Sequence, residues 1–75
     1  MHAWVRFLNK TKYSAVYIKI NDIALPLLAV RGRFSDYITA PAGSVVFKLF
    51  DNRGHFCREI LLSLPPGRLY SVILK

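Results

Sequence analysis

The sequence predicts an all-β fold: a small antiparallel, immunoglobulin-like β-sandwich of six to seven short strands, forming a single domain over residues 1–75. Seventy-five residues, 53% of them hydrophobic, suffice for one folded domain and no more. Apolar residues alternate with a period of two and show no sustained helical period. Turn-forming residues recur roughly every 8 to 12 residues, which is typical of small β-sandwiches and barrels.

Four strands are predicted in the first half of the chain. Residues 3–9 and 14–20 alternate apolar residues with polar or mixed ones, so each strand has one core-facing side. Asn21-Asp22 predicts a hairpin turn, because both residue types tolerate positive φ. Residues 23–30 are apolar on both faces, but Pro26 cannot donate a ladder hydrogen bond, which places this segment at a sheet edge or in a bulge. Residues 34–39 form the fourth predicted strand.

The second half predicts two further hairpin strands and a final strand. Pro41-Ala42-Gly43 turns the chain into residues 44–50, and residues 51–54 form the loop before the strand at 56–62. The last strand covers residues 69–74. Leu64, Gly67 and Tyr70 fit a tyrosine corner, in which the Tyr hydroxyl bonds upstream backbone where the chain crosses between sheets. In such folds one more strand normally follows, so we expect an open edge that a partner or a second copy completes.

The charge balance favours anionic partners. Eleven Lys and Arg against four Asp and Glu give a net charge of +7, which suits nucleic acid, acidic polysaccharide, an anionic membrane surface or an acidic protein. Arg31 and Arg33 flank a flexible glycine and Arg53 lies in another loop, so these three are candidate anion contacts. No apolar run reaches the roughly 18 residues of a membrane span, so none is predicted.

Catalytic chemistry has little support, and we expect a protein that is not an enzyme and uses no cofactor or metal. The four acids are far apart in sequence, and neither histidine lies in a cluster of metal ligands. Cys57 is the only cysteine, which excludes an internal disulfide. A grouping of Asp51, His55 and Cys57 would need all three to converge, so we interpret Cys57 as a small core or interface residue.

A second group of residues predicts an interaction surface. On the strand sides opposite the expected core, the apolar residues are too numerous for a solvated face: Trp4, Leu8, Tyr17, Val46, Phe50, Leu69 and Ile73. They indicate contact with a protein partner or a sister subunit. The alternative is a nucleic-acid stacking platform, since aromatic residues here interleave with Arg6, Lys19 and Lys48.

Three segments resemble a recurring bacterial pattern in order and spacing: Trp4-Val-Arg-Phe-Leu-Asn9, Phe34-Ser-Asp-Tyr-Ile-Thr-Ala-Pro-Ala-Gly43 and Leu64-Pro-Pro-Gly-Arg-Leu-Tyr70. The pattern is similar to the β-sandwich domains of the alginate O-acetylation accessory (AlgF) family and of related secreted domains of unknown function. The resemblance implies a non-catalytic adaptor or binding module, extracytoplasmic, in exopolysaccharide modification or cell-surface assembly. It implies a periplasmic or extracellular location. No signal peptide is visible, so a cytoplasmic location and a domain excised from a longer protein both stay open, and the alternative function is a small basic nucleic-acid-binding domain.

Overall fold

Two β-sheets pack face to face. The computed structural model describes residues 1–75 apart from the side chain of Pro26. The strands are β1 (His2–Asn9), β2 (Ala15–Ile20), β3 (Ile23–Val30), β4 (Ile38–Pro41), β5 (Gly43–Asp51), β6 (Phe56–Leu64) and β7 (Leu69–Leu74). A three-stranded sheet has the order β4-β1-β7 and a four-stranded sheet the order β3-β2-β5-β6. The predicted small, all-β sandwich is confirmed.

The sheets are antiparallel with one exception. β1 pairs antiparallel with β4, and the neighbours in the four-stranded sheet are all antiparallel. β1 and β7, however, run parallel, with Trp4 opposite Leu69 and Asn9 opposite Leu74. The parallel pair arises because β6 lies in one sheet and β7 in the other, so the connection crosses the sandwich instead of closing a hairpin.

The core lies between the sheets and follows the alternation of the sequence. Phe7 of β1 and Phe47 of β5 are fully buried and meet edge to face with ring centroids 5.4 Å apart. The edge-to-face arrangement of the two rings is electrostatically favourable, and it stabilises the core in addition to the burial of two large apolar side chains. The other buried apolar residues are Ala3, Val5, Val16, Ile18, Ile20, Ala29, Ala40, Val45, Leu49, Leu64, Val72 and Leu74.

The fourth strand differs from its predicted position. It covers Ile38–Pro41 rather than residues 34–39. The reason is a side chain that takes the place of backbone pairing: the Phe7 N–H donates to Ser35 Oγ at 2.9 Å, while the Ser35 N–H donates to the Phe7 carbonyl at 2.8 Å. A serine hydroxyl that bonds backbone groups competes with the regular ladder. Residues 34–37 therefore run beside β1 as irregular chain with one isolated bridge, Leu8 to Phe34.

Two predictions concern the position of β3 in its sheet and the turn that precedes it. β3 is the edge strand of the four-stranded sheet, and its pairing with β2 shifts register between Tyr17 and Lys19. The part of the prediction that concerns Pro26 lies outside the described residues. The turn before β3 has positive φ at both Asn21 (47°) and Asp22 (68°), as a tight two-residue hairpin requires.

The side of the sandwich where β6 and β7 meet is less completely closed. Both are edge strands, one in each sheet. Ile60, Leu62 and Tyr70 pack against the core but are only half-buried. The Tyr70 hydroxyl donates to the Pro65 carbonyl at 3.3 Å, which is the contact that the tyrosine-corner interpretation describes. Within the described residues, no helix is long and apolar enough to cross a membrane.

Candidate anion-binding site

The strand register brings several loops to one end of the sandwich. Val16, near the start of β2, pairs with Asp51 at the end of β5, and Ala15 pairs with Val30 at the end of β3. The Lys10 N–H donates to the Leu74 carbonyl at 2.7 Å, so the ends of β1 and β7 also lie here. The β1–β2, β3–β4 and β5–β6 loops therefore open from the same end.

This end, which we call the basic end, holds most of the positive charge of the chain. Seven of the eleven basic residues lie in its loops or beside them: Lys10, Lys12, Arg31, Arg33, Arg53, Arg58 and Lys75. Two of the four acids belong to this end as well: Asp51 at the end of β5 and Asp36 in the β3–β4 loop, so basic residues outnumber acids here. Because a cluster of one sign focuses an electrostatic potential, the basic end attracts anions from solution. All three predicted anion contacts belong to it.

A buried asparagine organises the β1–β2 loop. Asn9 is fully buried at the end of β1, and its side-chain amide donates to the carbonyls of Ala29 (2.9 Å) and Tyr13 (3.2 Å). Its Oδ1 accepts from the Thr11 N–H (2.9 Å) and the Thr11 hydroxyl (2.6 Å). A buried amide that is satisfied on both sides rigidifies its surroundings. Asn9 thus fixes the loop that carries Lys10 and Lys12.

Asp51 organises the β5–β6 loop, as Asn9 organises the β1–β2 loop. Its Oδ1 accepts from the backbone N–H groups of His55 and Arg53, both at 2.9 Å. The hydrogen bond from the His55 N–H is the main cause that holds the pKa of the Asp51 carboxyl below its ordinary value, and the bond from the Arg53 N–H adds to it. Asp51 Oδ1 is therefore occupied by the loop backbone and positions Arg53. Within the described residues, the Asp51 carboxylate forms no ion pair with the Arg53 guanidinium.

A cleft of about 340 Å³ opens into the basic end. Val16 and Leu49 contribute apolar surface, and Tyr13 and Cys57 line it together with several cations. The neighbouring Cys57 side chain is the main cause that raises the pKa of the Tyr13 phenol. The cations that line the cleft are Lys10, Lys12, Arg58 and Lys75. Sequence reasoning missed these four, because only the strand register shows that their loops share an end.

The grouping of Asp51, His55 and Cys57 is only partly brought together. His55 Nδ1 lies 3.4 Å from Asp51 Oδ2, on an imidazole that is mostly exposed. The Cys57 thiol contacts the His55 backbone carbonyl at 3.5 Å, not the imidazole. Among the residues that the structure describes, no three His, Cys, Asp or Glu side chains form a group able to hold a metal ion.

The predicted interaction residues divide between two opposite surfaces. Trp4, Leu8 and Ile73 lie on the outer face of the three-stranded sheet. Tyr17, Val46 and Phe50 lie on the outer face of the four-stranded sheet. The six residues therefore do not form one continuous face, and Leu69 joins the first group opposite Trp4. The reason is that outward positions on β1 and β2 face away from a shared core.

The outer face of the four-stranded sheet carries a row of aromatic rings. Tyr17 pairs with Phe50, and Phe50 pairs with Phe56 across adjacent strands. The Phe50 and Phe56 rings meet at 5.8 Å, and Lys19 Nζ lies 5.0 Å from the Phe50 ring centre. Sequence reasoning missed Phe56, although its position at the start of a return strand was a usable signal. Trp4 and Arg6, grouped with this platform in the sequence, lie on the other sheet.

Comparison with known proteins adds no relative. No protein-family model, no curated protein and no solved structure matches this chain. The resemblance to the AlgF family therefore stays a prediction. The functional interpretation depends on the geometry of the basic end and of the two outer faces.

Proposed function

We propose that this chain is a non-catalytic binding module that holds an anionic polymer, with acidic polysaccharide favoured, at its basic end. The observation that carries the proposal is the gathering of seven basic residues around one end, with two acids, Asp36 and Asp51, among them. Asn9 and Asp51 hold two of the loops in place before any ligand arrives, which reduces the ordering cost of binding.

Acidic polysaccharide is favoured over other polyanions because the resemblance to the AlgF family points to an extracytoplasmic accessory role in exopolysaccharide modification or cell-surface assembly. Arginine side chains suit the carboxylates of a uronate chain, since the guanidinium fork binds planar anions through two hydrogen bonds. The Arg31 guanidinium already donates to the Lys12 carbonyl at 3.2 Å, so it also links two loops of the basic end. Arg33 and Arg53 are exposed and are the more available contacts.

The test is direct binding of the whole chain to a polyuronate, with a neutral glucan of similar length as the reference polymer. We expect polyuronate binding that weakens as salt rises, and no comparable binding of the glucan. The double variant Arg33→Gln/Arg53→Gln should weaken polyuronate binding several-fold. The matched control Lys19→Gln/Arg68→Gln removes the same charge away from the basic end. Equal losses in the two variants would show that net charge, not the basic end, determines binding.

A second candidate function, binding of single-stranded nucleic acid, is favoured by the aromatic row. Tyr17, Phe50 and Phe56 lie side by side near Lys19, and such rows stack successive bases while cations follow the backbone. We expect Tyr17→Ala and Phe56→Ala to weaken oligothymidylate binding if this function holds. The Trp4→Ala variant removes an aromatic from the opposite face and is the control. Oligothymidylate binding that is insensitive to Tyr17 and Phe56 would exclude this candidate.

A further inference from the structure

The outer face of the three-stranded sheet surrounds one arginine with apolar side chains. The parallel pairing of β1 and β7 sets Trp4 beside Leu69, Arg6 beside Ser71 and Leu8 beside Ile73. The irregular segment before β4 adds two aromatic rings over the same sheet. We call this surface the Arg6 face; it consists of Trp4, Arg6, Leu8, Phe34, Tyr37, Leu69, Ser71 and Ile73. Leu69 is 65% exposed and Phe34 46%, which is a large apolar area for a surface of this size.

The Arg6 side chain is held in one orientation by three contacts. Its Nε donates to Ser71 Oγ at 2.8 Å. Its Cζ lies 3.8 Å from the centre of the Phe34 ring and 5.1 Å from the centre of the Tyr37 ring. Arginine stacked on aromatic faces retains its charge and its planar fork. This long side chain is therefore already restricted in the free protein, so binding a partner costs little further side-chain entropy.

The guanidinium has no acidic partner within the described part of the chain. Among the described residues, ion pairs join Lys48 to Asp22 and His55 to Asp51, and neither involves Arg6. The Arg6 side chain donates a hydrogen bond through Nε, which leaves the two terminal nitrogens to bind a ligand. Two terminal nitrogens on a fixed guanidinium match the two oxygens of a carboxylate.

The chemistry of the face selects the kind of partner. A purely apolar partner would bury the guanidinium without a counter-charge, which is strongly unfavourable. The strands β1, β4 and β7 contain no Asp or Glu, so a second copy that docked strand against strand would bring two arginines together. The segment before β4 carries one exposed acid, Asp36, and pairing of Asp36 with Arg6 of a second copy is the outcome that the dimerisation measurement below must exclude. A protein surface that offers one carboxylate within an apolar patch satisfies both the charge and the surrounding rings.

We propose that the Arg6 face docks a protein partner that presents a single Asp or Glu side chain within an apolar surface. Tryptophan, tyrosine and arginine at the centre of an exposed patch are the residue types that dominate binding energy at protein interfaces. This site is separate from the basic end. With a polymer held at the end of the sandwich and a protein on the Arg6 face, the module would act as an adaptor.

The test uses a defined probe, because Trp4 is the only tryptophan of the chain and its fluorescence reports on this face alone. The probe is an extended peptide of alternating leucine and serine with one central glutamate, and its reference carries glutamine instead. We expect the glutamate peptide to change the Trp4 emission saturably. The glutamine peptide should bind more weakly by about tenfold or more, the range for a hydrogen bond to a charged group.

Variants then assign the effect to Arg6. Arg6→Gln should remove the difference between the two peptides, and Arg6→Lys should keep only part of it because lysine lacks the planar fork. Arg68→Gln is the matched control and should leave the difference intact; circular dichroism verifies that each variant is folded.

The proposal is overturned if the two peptides bind wild type equally, if neither binds, or if Arg68→Gln acts like Arg6→Gln. The proposal is also overturned if the chain dimerises without peptide and the change in Trp4 emission follows that dimerisation. Polyuronate binding should be unchanged by Arg6→Gln, so failure here is distinguishable from failure of the proposed function.

Discussion

The two ends of the sandwich are built differently. At the basic end, side chains organise the loops: Asn9 and Asp51 satisfy backbone groups that no strand pairs. At the opposite end, each organising side chain makes one such bond: Asn21 Oδ1 accepts from the Val46 N–H at 2.9 Å, and the Tyr70 hydroxyl donates to the Pro65 carbonyl at 3.3 Å. Loops that are organised by side chains and carry charge are where binding sites concentrate on rigid scaffolds. The difference favours the proposal that the basic end, rather than the opposite end, is the binding surface.

The largest expected effect comes from Asn9. Replacing it by alanine leaves the buried Ala29 carbonyl without its donor and removes one donor from the part-buried Tyr13 carbonyl, so we expect Asn9→Ala to lower the free energy of unfolding by about 3 kcal/mol. Polyuronate binding by the folded fraction should also weaken, because the β1–β2 loop loses its anchor. Chemical denaturation measures the first effect. Asn52→Ala, an exposed residue at the same end, is the control, and an equal loss in both would contradict the role of Asn9.

A smaller effect is expected at the opposite end from Tyr70. Tyr70→Phe removes the hydrogen bond to the Pro65 carbonyl and should lower the free energy of unfolding by about 1 kcal/mol. Binding at the basic end should not change, since the two sites are at opposite ends of β7. Urea denaturation and polyuronate titration of the same variant test both statements. A change in polymer affinity without a change in stability would mean that the ends are coupled.

The third effect concerns acid stability at the basic end. Because the folded state holds the pKa of Asp51 below its ordinary value of 3.8, the ionised carboxylate stabilises the fold above that pH, and the contribution is lost as the pH falls through the lowered folded-state pKa. The stability difference between wild type and Asp51→Asn should therefore be present near neutral pH and shrink in acid. Urea midpoints at several pH values measure it. A difference that stays constant into strong acid would show that the charge is not involved.

The smallest effect is expected from the exposed ion pair at the opposite end. Lys48 Nζ lies 2.6 Å from Asp22 Oδ1, and Lys48 is the main cause that lowers the pKa of Asp22. The Asp22 side chain is 76% exposed, and such pairs contribute little because water screens them. Asp22→Asn should leave the denaturation midpoint almost unchanged. A loss comparable to that of Tyr70→Phe would mean that this ion pair contributes more than its exposure to water allows.

Much of the fold could be predicted from the alternation of the sequence, as β1, β2, β5 and β7 illustrate. Their inward residues are buried because a period of two places every second side chain on the same face. The segment at residues 34–37 could not be predicted in the same way. There the hydroxyl of Ser35 takes a backbone donor from Phe7, and no local pattern reveals a contact between residues 28 positions apart.

The candidate site could be predicted only in part from the sequence. Arg31, Arg33 and Arg53 could be selected because arginines in glycine-containing loops are recognisable in the sequence. Lys10, Lys12, Arg58 and Lys75 could not be joined to them, because they belong to distant segments. The interaction residues were predicted to face outward, yet alternation does not reveal which sheet a strand joins. Trp4 and Tyr17 therefore looked like members of one surface and lie on two.

The sequence alone determined the class of this chain: an all-β fold with a strong positive charge and alternating strands, since composition and periodicity are local properties. The tertiary structure decided everything that depends on which strands become neighbours. The crossing from β6 to β7 made the parallel pair that sets Arg6 beside Ser71, and the antiparallel register gathered the cations at one end. The physical reason is that electrostatic potential and side-chain contact depend on distance in space, and a sheet brings residues from distant parts of the chain within a few ångströms.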